Sequence, residues 1–340
     1  MNILIITQSI DKRNPTLGFF HTWVIEFSKR FDRVTVICLE KGEFDLPGNV
    51  TVLSLGKEKG VSKIKYVFNF YKYIWQQRMK YDSVFVHMNQ EYIILGFLLW
   101  KLLNKKIGLW RNHPKGTMFT RLAVFLSSMV FCTSEFSFTK RFKETQIMPV
   151  GIDTNFFLRD VTIKSVEKSI LYLGRVAPVK NVHIIIDALD ILNRQGIIFS
   201  MSIFGDTLPK DLGYFNLVQD KVLNYGLKDF VTFNKGVPNS DTPYIYSSHN
   251  VFVNLTENGS LDKTIFEAMS CDAVVVTSNM SLKNDLEDGL FVHKIDPVAL
   301  ADSLAVALGL DDNRKSMREY VVKNHSLIKL LDEISDCYKN

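Results

Sequence analysis

The sequence predicts an α/β protein built from two doubly wound parallel sheets. Short, almost continuously apolar segments alternate with longer amphipathic segments, as expected when crossover helices bury strands on both faces. The alternation restarts after a turn-rich stretch at 148–168. A length of 340 residues is also too great for one ordinary core and favours two domains.

The elements follow one another in a regular order along the chain. In the first half the predicted strands are 2–7, 34–39, 50–54, 83–87, 106–110 and 129–133, and the predicted helices are 19–30, 62–80, 92–103 and 118–127. In the second half the predicted strands are 169–173, 199–204, 231–233, 251–255 and 273–277, and the predicted helices are 182–195, 214–225, 242–247, 263–269 and 327–338. We therefore predict an N-terminal domain at 1–163, a C-terminal domain at 164–322, and a C-terminal segment at 323–340 that could pack back across the hinge.

Charge and cysteine usage restrict the class of protein. Residues 1–165 contain 24 Lys/Arg and 13 Asp/Glu, whereas the remainder contains 17 and 23, so the basic half is expected to meet something anionic. The four cysteines are scattered and form no C-x-x-C pair, which argues against a zinc site or disulfide framework and favours a reducing cytoplasm. The first residues predict a strand, not a signal peptide, and the longest apolar run, 92–100, is too short to span a bilayer.

A first group of candidate residues lies in the loop after the strand 169–173. Gly174 and Arg175 follow the strand directly, and Lys180 lies five residues beyond Arg175. From such a strand-to-helix loop both side chains can reach a diphosphate: the arginine guanidinium can donate two parallel hydrogen bonds, and the lysine ammonium acts as a point charge. The alternative is a solvated loop carrying two ordinary cations.

A second group lies in the loop and helix that begin at Gly259. The loop reads Gly259, Ser260, Leu261, Asp262 and Lys263, and its amides together with the following helix start could face an anion. In the helix, Glu267 could accept hydrogen bonds from ribose hydroxyls. Two structural alternatives stay open: Thr264 and Glu267 fit a capping box, and Asp262 fits a plain N-cap.

Three motifs in this order resemble glycosyltransferase family four, the retaining enzymes of the GT-B fold. They are M-P-V-G-I-D-T-x-x-F at 148–157, I-L-Y-L-G-R-V-A-P-V-K-N at 170–181, and G-S-L-D-K-x-x-x-E-A-M-x-C-x-A-V-V-V-T-S at 259–278. The resemblance implies two Rossmann-like domains facing a central cleft, with the donor nucleotide on the second domain. It also implies that Arg175 and Lys180 bind the donor diphosphate and that Glu267 binds its ribose.

The chain departs from the family at one position. Members usually carry a second acid eight residues before the ribose-binding Glu, where this chain has Gly259. Either the backbone amides of the loop hold the sugar and phosphates, with Asp262 or Lys263 in place of the acid, or donor-sugar contacts are partly lost. We favour the first alternative because the loop keeps its length and its glycine.

Two residues of the first half complete the predicted site. Gly18 resembles the family's glycine that lets the backbone approach the donor phosphate, although it could equally be a helix-start glycine. His113 follows a strand at its carboxyl end and matches the position of the family's cleft histidine, which orients the donor sugar. We count His113 with Arg175 and Lys180 as the catalytic residues; His21 and His87 are weaker candidates.

The resemblance also implies the reaction and its partners. The expected reaction is transfer of a sugar from a nucleotide-diphosphate sugar to a glycan or lipid-linked acceptor in cell-surface polysaccharide synthesis, with retention. The chain contains no D-x-D sequence, so we expect no metal, and we expect no cofactor beyond the donor substrate. The alternatives are a nucleotide-sugar 2-epimerase on the same fold and a catalytically degenerate sugar-nucleotide-binding subunit.

Residues 57–80 combine seven cations with interleaved aromatic side chains. Such a helix can rest on an anionic membrane surface, and it can equally be a core helix with a solvated basic face. No nucleic-acid motif accompanies the charge, so we expect no nucleic-acid partner. We predict a cytoplasmic protein that could be peripheral at the inner membrane face.

Overall fold

The computed structural model describes residues 1–14, 17–256, 261–286, 289–310 and 315–339. The chain divides into two compact units, which we call unit 1 (Met1–Gly151 with Leu327–Asn340) and unit 2 (Ile152–Ser326). Each unit contains a parallel sheet flanked by helices, which confirms the predicted α/β fold class.

Within the described residues, unit 1 contains a seven-stranded parallel sheet of order β3-β2-β1-β4-β5-β6-β7. Its strands are β1 (Asn2–Ile10), β2 (Arg33–Lys41), β3 (Val50–Ser54), β4 (Ser83–His87), β5 (Lys106–Trp110), β6 (Met129–Cys132) and β7 (Thr145–Ile147). Its helices are α1 (Phe19–Arg30), α2 (Lys63–Gln76), α3 (Glu91–Leu102) and α4 (Met118–Leu126), and the last helix of the chain, at Leu327–Lys339, also belongs to this unit.

The sheet of unit 1 is covered by helices on both faces. Alternate side chains of β1 point to opposite faces, so Ile3 and Ile5 pack in a cluster with α1 and the last helix. Leu4 and Ile6 pack in the other cluster, with α2, α3 and α4. All five residues of β4 are buried, which explains why its three central residues, Val84, Phe85 and Val86, are apolar without alternation.

The described part of unit 2 contains a five-stranded parallel sheet of order β10-β9-β8-β11-β12. Its strands are β8 (Ser169–Leu173), β9 (Ser200–Phe204), β10 (Val231–Asn234), β11 (Val251–Asn254) and β12 (Val274–Thr277). Its helices are α5 (Val182–Arg194), α6 (Leu212–Asn224), α7 (Thr242–Ser247), α8 (Lys263–Ser270), α9 (Pro297–Gly309) and α10 (Lys315–His325), after which the last helix is α11 (Leu327–Lys339).

Helix α11 packs against α1 in unit 1. Its side chains Leu330, Ile334 and Tyr338 are buried in the cluster formed with α1. The hydroxyl of Tyr338 donates a hydrogen bond to the carbonyl of Val84 at 2.7 Å. A Cβ atom on Gly108 would lie 2.1 Å from that hydroxyl, so a glycine in β5 makes room for the helix.

The segment 152–163, which we had assigned to the N-terminal domain, makes its hydrogen bonds inside unit 2. The backbone N–H of Asp160 donates to Ser247 on α7, and the carbonyl of Phe157 accepts from Ser270 and Arg318. Just before it, Gly151 has a φ of +79°, and a Cβ atom there would lie 2.4 Å from Leu330. The glycine of the motif at 148–157 is thus required by a left-handed turn and by close packing.

Three elements were not predicted from the sequence: the short edge strand β7 and the helices α9 and α10. Among the described residues, no helix has both the length and the apolarity needed to cross a bilayer.

Candidate functional site

The strand order of unit 2 identifies the place where a ligand is expected. Along the sheet the order of connection reverses between β8 and β11. In open α/β sheets, ligands bind outside the carboxyl ends of the strands at such a switch point. The two loops that leave these strand ends, 174–181 after β8 and 255–262 after β11, carry the cations and carboxylate predicted from the sequence.

Lys180 and Asp262 connect these two loops through an ion pair. The Nζ atom of Lys180 lies 2.7 Å from Oδ2 of Asp262 and donates to Oγ1 of Thr256 at 2.9 Å. The side chains of Lys180 and Asp262 are 20% and 19% exposed, so the pair is largely but not fully removed from water. An ammonium group has three N–H donors, and among the described residues the third has no acceptor.

The loops are also joined through Asn181, the residue before α5. Its φ of +55° lies in the left-handed region, which asparagine tolerates better than most residues. Its side-chain amide donates to the carbonyl of Leu255 at 3.0 Å. The backbone that carries Lys180 is therefore fixed to the end of β11.

Asp262 is the centre of a hydrogen-bond network. Its carboxylate caps α8 by accepting from the backbone N–H of Thr264 at 3.3 Å and from the Thr264 hydroxyl at 2.9 Å. It also accepts from the amide of Asn254 at 3.1 Å and from the hydroxyl of Thr256 at 3.3 Å. Burial alone would raise the pKa of Asp262, but the charge of Lys180 and these hydrogen bonds hold it below its ordinary value. The N-cap interpretation of Asp262 is confirmed.

Glu267 lies on the buried face of α8. The hydroxyl of Tyr246 donates to its Oε2 at 3.1 Å. Because Asp262 is the cap, Glu267 lies beyond the third helical position, and the predicted capping box with Thr264 is wrong. Glu267 instead faces the opposite charge of Lys263, one turn earlier on the same helix. Burial raises the pKa of Glu267 and lowers that of Lys263, and the charge of each opposes the effect of burial on the other.

Arg175 lies in the same loop as Lys180 but has a different environment. Its side chain is exposed, and among the described residues its guanidinium makes no hydrogen bond or ion pair. Its backbone carbonyl accepts from the buried hydroxyl of Tyr172 at 2.8 Å. Beside it, a Cβ atom on Gly205 would lie 1.9 Å from the carbonyl oxygen of Gly174, so the loops after β8 and β9 are in direct backbone contact. The loop is therefore fixed while the guanidinium is available to an anion.

Gly18 and His113 belong to unit 1. A Cβ atom on Gly18 would lie 2.6 Å from the carbonyl oxygen of Asn14, so the glycine is required by the packing of its own loop. It is the N-cap residue of α1, as the helix-start alternative predicts. The side chain of His113 is exposed, and its Nδ1 lies 3.0 Å from the backbone nitrogen of Lys115 and 2.9 Å from its oxygen. The sugar-orienting role of His113 stays a prediction.

The two weaker histidine candidates have packing roles. Nε2 of His21 accepts from the backbone N–H of Asp45 at 3.1 Å, and burial lowers the pKa of this histidine. His87 is 2% exposed, its ring stacks on Phe20 at 4.1 Å between centroids, and its Nδ1 lies 3.2 Å from the hydroxyl of Thr7.

The structure therefore brings together part of the predicted site. Gly174, Arg175, Lys180, Asp262, Lys263 and Glu267 all lie in unit 2, and half-buried Leu261 directly precedes the cap. Gly259 and Ser260 lie outside the described residues.

The sequence reasoning missed Asn254, Thr256 and Tyr246. The polar side chains of Asn254 and Thr256 at the carboxyl end of a buried strand were a signal that could have identified the first two.

Comparison with known proteins identifies the family and the fold. The family described as "Glycosyl transferases group 1" matches residues 153–324, just over half of the chain. Spore coat protein SA of Bacillus subtilis is 26% identical over 161 residues, which cover 45% of this chain and 43% of that protein. Mannosylfructose-phosphate synthase of Agrobacterium fabrum is 26% identical over 168 residues, which cover 46% of this chain and 37% of that protein. The chain thus spans less than half of the length of these curated relatives.

Solved structures extend the likeness to the whole chain. A crystal structure of Anabaena HepE in complex with UDP has a TM-score of 0.78 and 18% identity, with 100% of both chains covered. A second HepE structure, in complex with UDP-glucose, has a TM-score of 0.76 and 17% identity and covers 100% of this chain and 99% of that one. At this identity the likeness shows the GT-B fold. Together with the match over residues 153–324, it shows that the chain belongs to the family of glycosyl transferases group 1.

Proposed function

We propose that this protein transfers a sugar from a nucleotide-diphosphate sugar to a glycan or lipid-linked acceptor, with retention of anomeric configuration. The observation that carries the proposal is the Lys180–Asp262–Thr256 cluster at the switch point of unit 2, with the exposed Arg175 in the same loop as Lys180. The family of the chain and the UDP-sugar bound to HepE support a donor of this class.

In the proposed reaction, Arg175 and Lys180 bind the donor diphosphate and stabilise the negative charge that grows on it as it departs. The bond between the sugar C1 and the diphosphate oxygen breaks while the acceptor oxygen bonds to C1 on the same face. The proton of the acceptor hydroxyl passes to an oxygen of the departing diphosphate. Two cations at the leaving group supply the charge stabilisation that other folds obtain from a metal, so we propose that no metal is needed.

Among the described residues of this site, the carboxylates of Asp262 and Glu267 fit this mechanism better than a double displacement. A covalent retaining mechanism needs a carboxylate free to attack C1, with an acid beside it. Asp262 is instead bound to Lys180 and caps α8, and Glu267 accepts from Tyr246 while facing Lys263. We propose that Glu267 accepts hydrogen bonds from the ribose hydroxyls, a role that suits its position in the second turn of α8.

We further propose that the protein works in the cytoplasm, at the inner membrane face, in cell-surface polysaccharide synthesis. Four free cysteines, three of them buried, fit a reducing compartment. Helix α2, within the basic and aromatic stretch 57–80, exposes Ile64, Phe68 and Trp75 among its lysines. This combination supports contact with an anionic membrane surface.

The proposal is tested by calorimetric titration with UDP and GDP, followed by transfer assays across an acceptor panel. We expect Arg175→Ala and Lys180→Ala to lose transfer and most nucleotide affinity while keeping the wild-type circular dichroism spectrum. Lys228→Ala is the matched control, because this exposed lysine precedes β10 at the opposite end of the strands. Wild-type turnover in either site variant would disprove the diphosphate assignment.

The same experiments separate the two alternative functions. A 2-epimer seen by NMR when the donor is incubated without acceptor would support the epimerase. Nucleotide binding with no transfer to any acceptor, and no change in the donor, would support a binding subunit.

A further inference from the structure

Helices α2, α3 and α4 form one layer on one face of the unit 1 sheet. Their inward side chains share a single core cluster with Leu4 and Ile6 of β1. Neighbouring helices are joined by hydrogen bonds: the hydroxyl of Tyr71 on α2 donates to the carbonyl of Leu95 on α3 at 3.0 Å. The hydroxyl of Thr120 on α4 donates to Gln90, just before α3, at 2.9 Å. The outward faces of the three helices are therefore parts of one surface, which we call the α2–α4 surface.

This surface is apolar where a solvated helix layer would be polar. On α4 the outward residues at spacings of one, four and seven are all large and apolar, with Met118 76% exposed and Phe125 83% exposed. Phe119 and Leu122 complete this stripe. On α3, Leu98 and Leu102 are exposed one turn apart. Large exposed apolar side chains grouped on neighbouring helices in this way are typical of an interaction site.

A cavity of about 440 Å³ opens at the edge of the same surface, between the end of α3 and the end of α4. Its charged lining residues are Lys101, Lys105 and Lys106, and none of the described residues that line it is acidic. Lys105 and Lys106 donate to backbone carbonyls, those of Tyr81 at 2.5 Å and Tyr338 at 3.2 Å. Lys101 forms no ion pair or hydrogen bond within the described part of the chain. The apolar wall of the cavity includes Phe97 and Phe125.

The charge around this surface selects the occupant. Residues 57–134, which include all three helices, contain thirteen Lys/Arg and three Asp/Glu. A protein partner would need an equally one-sided acidic surface, whereas an anionic bilayer offers negative headgroups above an apolar layer. Apolar side chains flanked by lysines match both parts of the bilayer.

We propose that the α2–α4 surface docks on an anionic phospholipid bilayer, with the lysine cavity taking a lipid phosphate. In this arrangement Met118, Phe119, Leu122 and Phe125 enter the acyl boundary and Lys101 binds the headgroup. The inference rests on the membrane contact proposed above for residues 57–80 and adds a headgroup site and a second inserting helix, α4.

The test is co-sedimentation of the full chain with vesicles of phosphatidylcholine, with and without phosphatidylglycerol. We expect binding only when phosphatidylglycerol is present. Lys101→Gln should weaken it about fivefold, the effect of one cation near such a surface. The double variant Phe119→Ser/Phe125→Ser should weaken it at least about tenfold, because two aromatic side chains lose burial.

The matched controls lie in the same unit but away from the α2–α4 surface. Arg33→Gln makes the same change of charge at the start of β2, and Ile328→Ser removes an exposed apolar side chain on α11, in the opposite helix layer. Both should bind vesicles as the wild type does. Equal binding of wild type and the α4 variant, or equal binding to both kinds of vesicle, would overturn the inference.

Two further measurements distinguish membrane docking from the proposed transferase function and from self-association of the chain. UDP titration of every variant should give wild-type affinity. If the protein binds vesicles but binds no nucleotide, the membrane-docking inference would still be supported and the proposed function would be disproved. Sedimentation velocity without vesicles should show that the wild type does not self-associate through this surface, so Phe125→Ser should leave the sedimentation coefficient unchanged. If the wild type self-associates and Phe125→Ser abolishes the association, a second copy of the chain would be the occupant of the α2–α4 surface.

Discussion

The ion pair between Lys180 and Asp262 permits a quantitative prediction from the substitution Lys180→Met. Methionine keeps an unbranched stem of similar length but removes the charge that lies 2.7 Å from Oδ2 of Asp262. Breaking a fully buried pair costs about 3–5 kcal/mol. Here the pair is one-fifth exposed, and the carboxylate keeps donors from Asn254, Thr256 and Thr264. We therefore expect unit 2 to lose about 2 kcal/mol of its free energy of unfolding, the value of one hydrogen bond to a charged group.

A double-mutant cycle with Asp262→Asn isolates this interaction. Asparagine caps helices about as well as aspartate, so the single variant should keep α8 intact while removing the negative charge. In the double variant residue 262 carries no negative charge, so the substitution Lys180→Met no longer leaves a carboxylate without its ion-pair partner. The losses of unfolding free energy in the two single variants should therefore sum to more than the loss in the double variant. The assay is urea unfolding followed by far-UV circular dichroism. All four tryptophans lie in unit 1, so tryptophan fluorescence reports on unit 1 and is recorded in parallel for comparison.

The difference in free energy of unfolding between wild type and Lys180→Met should depend on pH with a definite sign. Lys180 and the other donors hold the pKa of Asp262 below its ordinary value of about 4. The stability supplied by the pair is therefore complete at neutral pH and is lost as pH falls through the lowered pKa. The difference between wild type and Lys180→Met should be full at neutral pH and should close in acid. A coupling energy below about 0.5 kcal/mol, or a gap independent of pH, would refute the reasoning.

Two other substitutions test separate parts of the chain. Gly151→Ala should cost about 2–4 kcal/mol of the stability of unit 1, because φ is +79° and the new methyl group would meet Leu330 at 2.4 Å; urea unfolding followed by tryptophan fluorescence measures it, and a loss under about 1 kcal/mol would contradict the packing argument. Burial raises the pKa of Glu267, so wild-type affinity for UDP-glucose, whose diphosphate does not titrate in this range, should fall as pH drops from about 8 to about 6. Calorimetry should find Glu267→Gln weaker and nearly independent of pH, and a parallel pH dependence in both proteins would remove Glu267 from the proposed ribose site.

The strands and most helices were predictable because their burial is visible in the sequence. β4, β5 and β8 lie exactly where the apolar runs predicted them, since parallel strands covered on both faces tolerate few polar residues. β7 escaped prediction because an edge strand of three residues with exposed Gln146 and Ile147 has no such run. α9 is apolar over much of its circumference, so helical periodicity is faint, although Asp296 followed by a proline marks its start.

The sequence singled out individual candidate residues, whose roles stay predictions, but it did not give their arrangement. Glycines, cations and Glu267 became candidates because their types and spacings suit a phosphorylated ligand, and the resemblance to a known family favoured that interpretation over the structural alternatives. The contact between Lys180 and Asp262 joins residues 82 positions apart and depends on β8 and β11 being neighbours in the sheet. Strand order follows from how crossovers pack, which short-range patterns do not encode. The same reason explains why Asp262 could not be assigned between a cap and a ligand-binding acid.

The geometry also suggests how Lys180 could exchange its partner for a donor. If Lys180 binds the diphosphate as proposed, it need not leave Asp262 unpaired, because Asn254, Thr256 and the N-terminus of α8 continue to donate to that carboxylate. The exchange would cost about one charged hydrogen bond, which two negatively charged phosphates can replace. Asp262 would then act as the residue that positions Lys180 before the donor arrives. This role differs from that of the acid expected at 259, since the donors that remain on Asp262 after the exchange, from Asn254, Thr256 and the N-terminus of α8, leave it little capacity for a sugar hydroxyl.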